Sequence, residues 1–501
     1  MNPPVPQRQT AVWWRSPSLG CLLLFVVAAY FCRATVLPVF GEETRRGLVA
    51  REMLESNDWI VPRVQGTPQL SRPPMQNWLI ASASRLTGSV DVWAIRLPSL
   101  WMTLATAVLI FAYVWHRADE ATAVLSAFSY LTMHEVLEYG RLGETEAVFT
   151  GFVAGSLLIW HLGMTAGWNP WVVWIVSYLL VAGGMLTKGM QAPLYFFGAV
   201  GISLLLERRL RDLLKLAHLA GLAAFVICVG AWQLAFISRL GAREGWLIHW
   251  LNISYRFTDR TNHSFVEHFL TFPLEVVGVM LPGSLLLIPA LSPNVRRRLT
   301  MHQSTIRYLL ISIGWAFVFV WIPPGSRARY FMPLMPLCAV LLGLVGSVWL
   351  SQPWRNWSPT ARRRLVLGCG IAFAAVHAGP VLSFQSRLCD DIAGQVARLK
   401  AELPADAELI SLAPLHHGFL YYYGEPIAHY PLPMHAGELP NAHRYFAIHT
   451  HDAEPPALPF AWEEIAVVSC DRYRRERPQV QIHIGERIRE PMDMVGANVK
   501  R

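Results

Sequence analysis

The sequence predicts a polytopic, mainly α-helical membrane protein that ends in a small α/β domain. Of its 501 residues, 53% are hydrophobic and only 15% are charged, a more apolar and less charged composition than that of soluble proteins. Apolar stretches recur from Leu19 to Leu382, each of about 20 residues, which is the length a helix needs to cross the hydrocarbon of a bilayer. Beyond Leu382 the apolar runs are too short to span.

These stretches predict eleven membrane-spanning helices. The first follows Arg8 and Arg15 and lacks a small-residue cleavage site, so it is predicted to remain in the chain as an anchor. The predicted spans lie at 18–38, 94–115, 121–137, 147–164, 170–186, 190–206, 216–237, 272–291, 307–323, 330–350 and 365–384.

Short basic loops between the spans contribute much of the formal net charge of +9. Positive loops favour the cytoplasmic side, so a cytoplasmic N-terminus and eleven spans put the C-terminal region outside. The same loops account for the charge without nucleic acid, which we do not expect as a partner. The predicted inner loops hold His116-Arg117, Arg208-Arg209 with Arg211 and Lys215, Arg296 to Arg298, and Arg355 with Arg362 to Arg364.

Two domains are predicted, a membrane domain at 1–384 and an extracytoplasmic α/β domain at 385–501. The first outer loop, 39–93, contains helical spacing and is expected to form interfacial helices, the second from Met75 to Leu86. In the C-terminal domain, helical spacing covers Asp390 to Leu403, and short apolar runs predict strands at 408–413, 418–423, 444–449, 464–469 and 480–484.

Seven cysteines occur, and five of them lie in or beside apolar spans, where a thiol is usually a small hydrophobe. Cys389 and Cys470 lie in the C-terminal region and could form one disulfide if that region faces an oxidising compartment. The chain contains neither a CxxC motif nor a cysteine and histidine set with zinc spacing, so we predict no cysteine-based metal site.

Two acidic corners fall on the predicted outer side. Glu42 and Glu43 stand where the first interfacial helix begins, and the helix dipole there favours ionised carboxylates, one of which could act as a base. Acidic residues are also common helix caps. Glu144 and Glu146 follow Arg141 before the fourth span, and ionisable groups at a membrane boundary suggest function.

Basic residues on the same side suggest an anionic lipid ligand, because an anion that leaves water must be paired and arginine matches phosphate oxygens. Some of them could equally snorkel to the headgroups. Lys188 is the least easily explained that way, since its neighbours are nearly all apolar. The candidates are Arg45, Arg72, Lys188, Arg256, Arg327 and Arg329, the last followed by Tyr330.

Histidines in one outer loop could bind a divalent metal, although such histidines more often bond to neighbouring groups. The candidates are His249 and His268, with His263, Asp259 and Glu267 between or beside them.

Several blocks in order resemble the aminoarabinose transferases that modify lipid A, which are related to the protein O-mannosyltransferases. The blocks are Glu42 to Arg45, Ala50 to Met53, Asp58 to Arg63, Arg72 to Pro74 and Arg96 to Ser99, with later matches at Arg141 to Glu146, Leu186 to Gly189 and Ser326 to Pro336. The resemblance implies the large membrane glycosyltransferase fold, a location in the bacterial inner membrane, a polyprenyl-phosphate sugar as donor, and a glycolipid or protein acceptor. It further implies inversion at the anomeric carbon, with Glu42, Glu43 and Glu146 as catalytic residues.

Four positions depart from the family pattern. Glu42 and Glu146 stand where the family has aspartate, and Ser71-Arg72 stands where it has glutamate and lysine. The serine replaces an acid associated with metal binding, so no metal is expected there. The departures leave the sugar and the acceptor open.

Two other functions remain compatible with the residues. A transporter or flippase of an anionic lipid-linked substrate would suit arginines on one face, but it predicts midplane charges and repeated halves, and the sequence has neither. A catalytically inactive binding protein that kept the fold is the third hypothesis.

Overall fold

Apolar helices form most of the structure, a computed structural model that describes residues 12–258, 264–351, 358–435, 438, 443–450, 455–475 and 478–488. The first three helices are α1 Pro17–Ala29, α2 Glu42–Ser56 and α3 Met75–Thr87, the last two in the predicted first outer loop. The bundle continues with α4 Val92–Trp115, α5 Glu120–Leu131, α6 His134–Tyr139, α7 Thr145–Ala166, α8 Pro170–Lys188, α9 Gln191–Leu206, α10 Leu216–Leu240, α11 Ala242–Thr258, α12 Phe265–Val279, α13 Pro293–Leu299, α14 Gln303–Trp321, α15 Met335–Leu350, α16 Pro359–Val376 and α17 Leu382–Leu388.

All eleven predicted apolar segments coincide with helical segments, but fewer are long enough to span. In the described part of the chain, seven helical segments have the length and composition of a span, and an eighth would be formed by Phe265–Val279 with Gly283–Leu291, which are bent by 104°. Pro17–Arg33 and Gln191–Leu206 are shorter, and the predicted span 121–137 is divided between α5 and α6. The structure therefore confirms a multi-pass helical membrane protein, and the number eleven stays a prediction.

The centre of the bundle is built around α7 and α15. The apolar segments that contain them are 83% and 89% buried, whereas the segment Thr360–Leu388 is only 17% buried and faces outward. Small residues let the central helices approach closely. A Cβ on Gly343 of α15 would lie 1.9 Å from the Ser126 hydroxyl of α5, so this crossing requires glycine.

The first loop and the C-terminal domain meet on one side of the bundle, which we call the site face. The Val39 amide donates to the Tyr422 hydroxyl at 2.8 Å, and the Tyr421 hydroxyl donates to the Val90 carbonyl at 2.9 Å. Arg472 of the C-terminal domain pairs with Glu138 of α6. These contacts dock the domain against the membrane bundle.

The opposite face is held together by charges between α1, α5 and α16. The hydroxyl of Ser18 donates to Glu120 at 2.7 Å, and Arg363 donates to the same carboxyl group at 3.1 Å. Arg362 also pairs with Asp119, at 3.5 Å. Two of the basic loops predicted to lie inside are thus on the side away from the C-terminal domain.

The C-terminal domain is a five-stranded mixed sheet with helices α18 Ile392–Glu402 and α19 His417–Tyr423. A short hairpin, β1 Arg63–Val64 with β2 Thr67–Pro68, lies in the first loop. The strands of the C-terminal sheet are β3 Leu409–Ser411, β4 Ala428–His429, β5 Tyr445–Thr450, β6 Trp462–Ser469 and β7 Gln481–Arg487. Their order in the sheet is β4-β3-β5-β7-β6, with β3 parallel to β4 and β5, and β7 antiparallel to β5 and β6.

Four of the five predicted strands are confirmed, and the strand predicted at 418–423 is wrong because that segment is helix α19. The His416 side chain accepts from the Gly418 amide at the helix start, and Gly424 ends the helix with a φ of 82°. Phe419 and Tyr423 stack one turn apart, with ring centroids 5.5 Å apart. An apolar run of this length fits a strand or a buried helix turn equally well. Here the capping residues at both ends favour the helix.

The disulfide considered for Cys389 and Cys470 is not formed, because both thiols are free and buried. The Cys389 thiol instead donates to the Gln385 carbonyl at 3.0 Å.

Candidate active site

Glu42 begins α2 and remains partly open to solvent. Its side chain is 40% exposed, and it binds the guanidinium groups of Arg45 and Arg46 one turn further along the helix, the latter at 3.2 Å. Burial raises the pKa of Glu42, but the charges of Arg46 and Arg45 outweigh that effect and hold the pKa below its ordinary value. The carboxylate is therefore ionised at neutral pH.

Glu43, the next residue, is enclosed by protein and only 2% exposed. Its two oxygens accept from the Arg96 guanidinium at 2.8 and 2.7 Å, and one of them also accepts from the Gly143 amide at 2.6 Å. Adjacent helical residues point about 100° apart, so one carboxylate stays at the surface while the other turns inward.

The second acidic corner lies at the start of α7. Glu146 pairs with Lys188 at the last position of α8, with 2.7 Å between the carboxylate oxygen and Nζ, and both side chains are almost fully buried. The two helix ends favour these charges, because a helix N-terminus stabilises an anion and a C-terminus a cation. Lys188 Nζ also lies 5.3 Å from the centre of the Tyr330 ring.

Glu144 occupies the N-cap position of the same helix, and its side chain pairs with Arg329 at 3.0 Å. The Arg329 guanidinium also lies over the rings of Tyr139 and Tyr330, at 5.4 and 5.6 Å. Burial, followed by the nearby charge of Glu146, raises the pKa of Glu144 in spite of Arg329.

The two acidic corners belong to one charged cluster. Arg72 interacts electrostatically with both Glu42 and Glu146, and Arg46 likewise interacts with both. The cluster contains five basic groups and four carboxylates, so basic groups outnumber acidic ones. Its members are Arg45, Arg46, Arg72, Lys188 and Arg329 with Glu42, Glu135, Glu144 and Glu146.

Several buried donors of this cluster have no hydrogen-bond partner among the described residues. They are the Nε–H groups of Arg45, Arg46 and Arg329. A buried donor without a partner costs about 1–3 kcal/mol, and native proteins rarely leave one unsatisfied. Acceptor oxygens of a bound ligand would remove this cost. The excess positive charge indicates that such a ligand is an anion.

The remaining predicted residues differ in their position. Tyr330 lies in the cluster between Lys188 and Arg329, whereas Arg327 is exposed at the start of the same turn. The Arg256 side chain lies outside the described residues. Their assignment as donor ligands stays a prediction.

The histidines predicted as metal ligands are not brought together. His249 Nε2 bonds to Gln233 at 2.9 Å, whereas His268 Nε2 bonds to the Trp321 carbonyl at 3.0 Å, and His263 and Asp259 lie outside the described residues. Within the described ranges, no group of three or more histidine, cysteine, aspartate or glutamate side chains is arranged to hold a metal ion. His249 and His268 are instead hydrogen-bonded to groups 16 and 53 positions away in the chain.

Two residues of the site were missed in the sequence. Arg46 follows Glu42 by four positions, which is the spacing of neighbours on a helix face. Arg96 is a lone charge in the first turn of a predicted span, and an ionisable residue in such a position is a functional signal by itself.

The architecture is that of a membrane protein whose structure has been solved. The crystal structure of ArnT from Cupriavidus metallidurans bound to undecaprenyl phosphate superposes with a TM-score of 0.68, at 16% identity over 93% of this chain and 98% of that one. The apo structure of the same protein gives 0.67, at 14% identity over 94% and 98%. At these identities the likeness establishes the fold, which confirms the predicted fold class.

Comparison of sequences confirms the predicted resemblance. The family described as dolichyl-phosphate-mannose-protein mannosyltransferase matches residues 71–232. Similar proteins include the undecaprenyl phosphate-alpha-4-amino-4-deoxy-L-arabinose arabinosyl transferases of Serratia proteamaculans, 25% identical over 63% of this chain and 58% of that protein, and of Pectobacterium carotovorum, 27% identical over 68% and 60%. The matched region thus covers about three fifths of these relatives' length.

Proposed function

We propose that this chain is an inverting glycosyltransferase that moves a sugar from a polyprenyl phosphate to an acceptor hydroxyl of a lipid A-like glycolipid or a protein. The observation that carries the proposal is the charged cluster, in which basic groups outnumber carboxylates and three guanidinium groups have donors without a partner. This arrangement suits a phosphate that must leave while a hydroxyl attacks. The named activity of the relatives, arabinosyl transfer from undecaprenyl phosphate, supports the same reaction.

The basic residues are assigned to the donor phosphate. Its oxygens would be bound by Arg72, Lys188 and Arg329, and Tyr330 would contribute its hydroxyl. The Nε–H groups of Arg45 and Arg46, which have no hydrogen-bond partner in the structure, could donate to the same phosphate. Guanidinium and ammonium groups placed beforehand stabilise negative charge that develops on a leaving group. Glu146 would hold Lys188 Nζ in place through the 2.7 Å ion pair.

Glu42 is assigned as the base because it is the most exposed carboxylate of the cluster. The acceptor oxygen would attack the anomeric carbon as the bond from that carbon to the phosphate oxygen breaks, and the bonding electrons would leave with the phosphate. The acceptor proton would pass to Glu42. A weak base is sufficient, because the attacking oxygen becomes strongly acidic as its new bond forms. Phosphate binding would also draw Arg45 and Arg46 away from Glu42 and so increase its basicity.

The site face is assigned to the extracytoplasmic side of a bacterial inner membrane, with the N-terminus in the cytoplasm. Arg362 and Arg363 lie on the opposite face, where they pair with Asp119 and Glu120, and positive loops favour the cytoplasm. The comparisons give no support to a transporter.

The test is sugar transfer by the purified full-length chain in lipid nanodiscs, with a panel of polyprenyl-phosphate sugars that includes aminoarabinose and mannose donors. Removing a general base typically slows a reaction by about 100- to 10,000-fold, which is the expected effect of Glu42→Gln. Glu55→Gln is the matched control, since Glu55 is an exposed carboxylate of the same helix. Release of no polyprenyl phosphate from any donor would refute the function. Full activity of both Glu42→Gln and Glu146→Gln would refute the site.

A further inference from the structure

The Glu43–Arg96 ion pair is completely enclosed, and every N–H donor of its guanidinium is used. Two donors bind the Glu43 carboxylate at 2.8 and 2.7 Å. The other three bind the carbonyls of Ala34, Leu37 and Pro38, the last two at 2.8 and 2.9 Å. A buried ion pair is stable when its geometry is good and its remaining donors are satisfied. Arg96 therefore fixes the loop before Glu42 as well as Glu43.

Glu43 also reaches the second acidic corner. Its Oε1 accepts from the Gly143 amide at 2.6 Å, and the Gly143 carbonyl accepts from the Gln76 amide at 3.3 Å. A Cβ on Gly143 would lie 2.3 Å from the Ile95 side chain and 2.7 Å from the Ile95 carbonyl. Gly143 is thus held against α4 on one side and by Glu43 on the other, one residue before Glu144.

We propose that Arg96 and Glu43 are a positioning pair that keeps Glu42 in register with Glu144 and Glu146, and that Glu43 is not a base. The inference rests on the proposed function. The pair acts through geometry, because both oxygens of Glu43 are occupied and the side chain is almost fully buried. A displacement of about 1 Å in a reacting group can reduce a rate by about 100-fold.

Arg96→Lys is the main test, because lysine keeps the charge but has at most three donors in place of five. We expect kcat to fall by about 10- to 100-fold, as for a small displacement, while the affinity for polyprenyl phosphate changes by less than about threefold and the pH profile of kcat/KM keeps its shape. Hydrogen exchange of the peptide covering 140–146 should become faster. Arg85→Lys is the control, because Arg85 is an exposed residue of α3 outside the cluster.

Gly143→Ala tests the same junction without leaving a buried charge unpaired, in case Arg96→Lys fails to fold. It should give the same lowered kcat and faster exchange of 140–146. Glu43→Gln should retain more activity than Glu42→Gln, because glutamine still offers one acceptor oxygen to Arg96 or the Gly143 amide.

Two results would overturn the inference. One is wild-type kcat and exchange in folded Arg96→Lys. The other is a folded Glu43→Gln as inactive as Glu42→Gln but with wild-type exchange, which would make Glu43 a chemical group. A wild-type chain that transfers no sugar would refute the proposed function instead, and the exchange measurements, which need no activity, would distinguish that failure from failure of the pair.

Discussion

Replacing Lys188 by methionine separates the stabilising role of the Lys188–Glu146 pair from its role toward the donor. The two charged atoms lie 2.7 Å apart, and the side chains are 2% and 4% exposed. Methionine fills most of the space that the lysine methylene chain occupies, but it leaves Glu146 buried without its partner. The variant therefore loses an internal ion pair and a proposed phosphate ligand.

The expected loss of stability follows from the burial. Removing one partner of a buried ion pair costs about 3–5 kcal/mol, because the remaining charge is uncompensated. Arg329 and Arg72 still interact with Glu146, so we expect the lower end, about 3 kcal/mol. The double variant Lys188→Met with Glu146→Gln contains no unpaired charge at this place and should regain most of that loss.

The assay is the free energy of unfolding in a fixed detergent and lipid mixture, together with the affinity for polyprenyl phosphate. A hydrogen bond to a charged group contributes about 1.5–3 kcal/mol, so both variants should bind polyprenyl phosphate about 10- to 100-fold more weakly. Lys215→Met is the control, because Lys215 pairs with Asp212 at 2.7 Å but is 62% exposed, and such pairs contribute less than about 1 kcal/mol.

Recovered stability with persistently weak binding would support both roles. A single variant as stable as wild type would refute the buried pair. Unchanged affinity in both variants would show that Lys188 is not a phosphate ligand.

Three further predictions concern charge, reach and orientation. Burial raises the pKa of Glu138, but the charges of Arg141 and Arg472 outweigh that effect and hold the pKa below the ordinary 4.5. The ionised carboxylate therefore stabilises the fold above pH 4.5, and this contribution is lost as the pH falls through the lowered pKa. Thermal unfolding of Glu138→Gln should accordingly show a weaker destabilisation by acid than that of wild type. Glu146→Asp shortens the side chain by one carbon–carbon bond, about 1.5 Å. The rate of sugar transfer and the free energy of unfolding should both fall, and the loss in transfer, expressed as a free energy, should be at least as large as the loss in stability. A reporter after Asp391 should be active only outside the cytoplasm and one after Arg117 only inside, and activity of both on one side would refute the orientation.

The sequence predicted the membrane domain well because apolar length is a property of each segment alone. It could not predict where a helix breaks. The predicted span 121–137 divides after Leu131, and the caps that end one helix and begin the next depend on tertiary contacts such as that between His134 and the Leu281 carbonyl. The helix at 417–423 was predicted as a strand although its caps lie next to it in the sequence, because a short apolar run is compatible with either structure.

The candidate site was predicted in part. Lys188 was predicted as a site residue because no counterion lies near it in the sequence. Its partner in the structure, Glu146, lies 42 positions away. Nothing in two adjacent glutamates indicates which of them turns inward, and the partner that decides this, Arg96, lies 53 positions from Glu43. Long-range pairing of this kind depends on the fold and therefore lies beyond reasoning from spacing.

The charge of the cluster affects which form of the proposed donor the site would bind most tightly. A polyprenyl-phosphate sugar is a phosphodiester with one negative charge, whereas the departing polyprenyl phosphate gains a second as the sugar leaves. In the proposed reaction, the unpartnered donors of Arg45, Arg46 and Arg329 would bind the departing group more tightly than the intact donor, because hydrogen bonds to a more highly charged acceptor are stronger. Since only interactions that strengthen toward the transition state accelerate a reaction, these donors would contribute to catalysis.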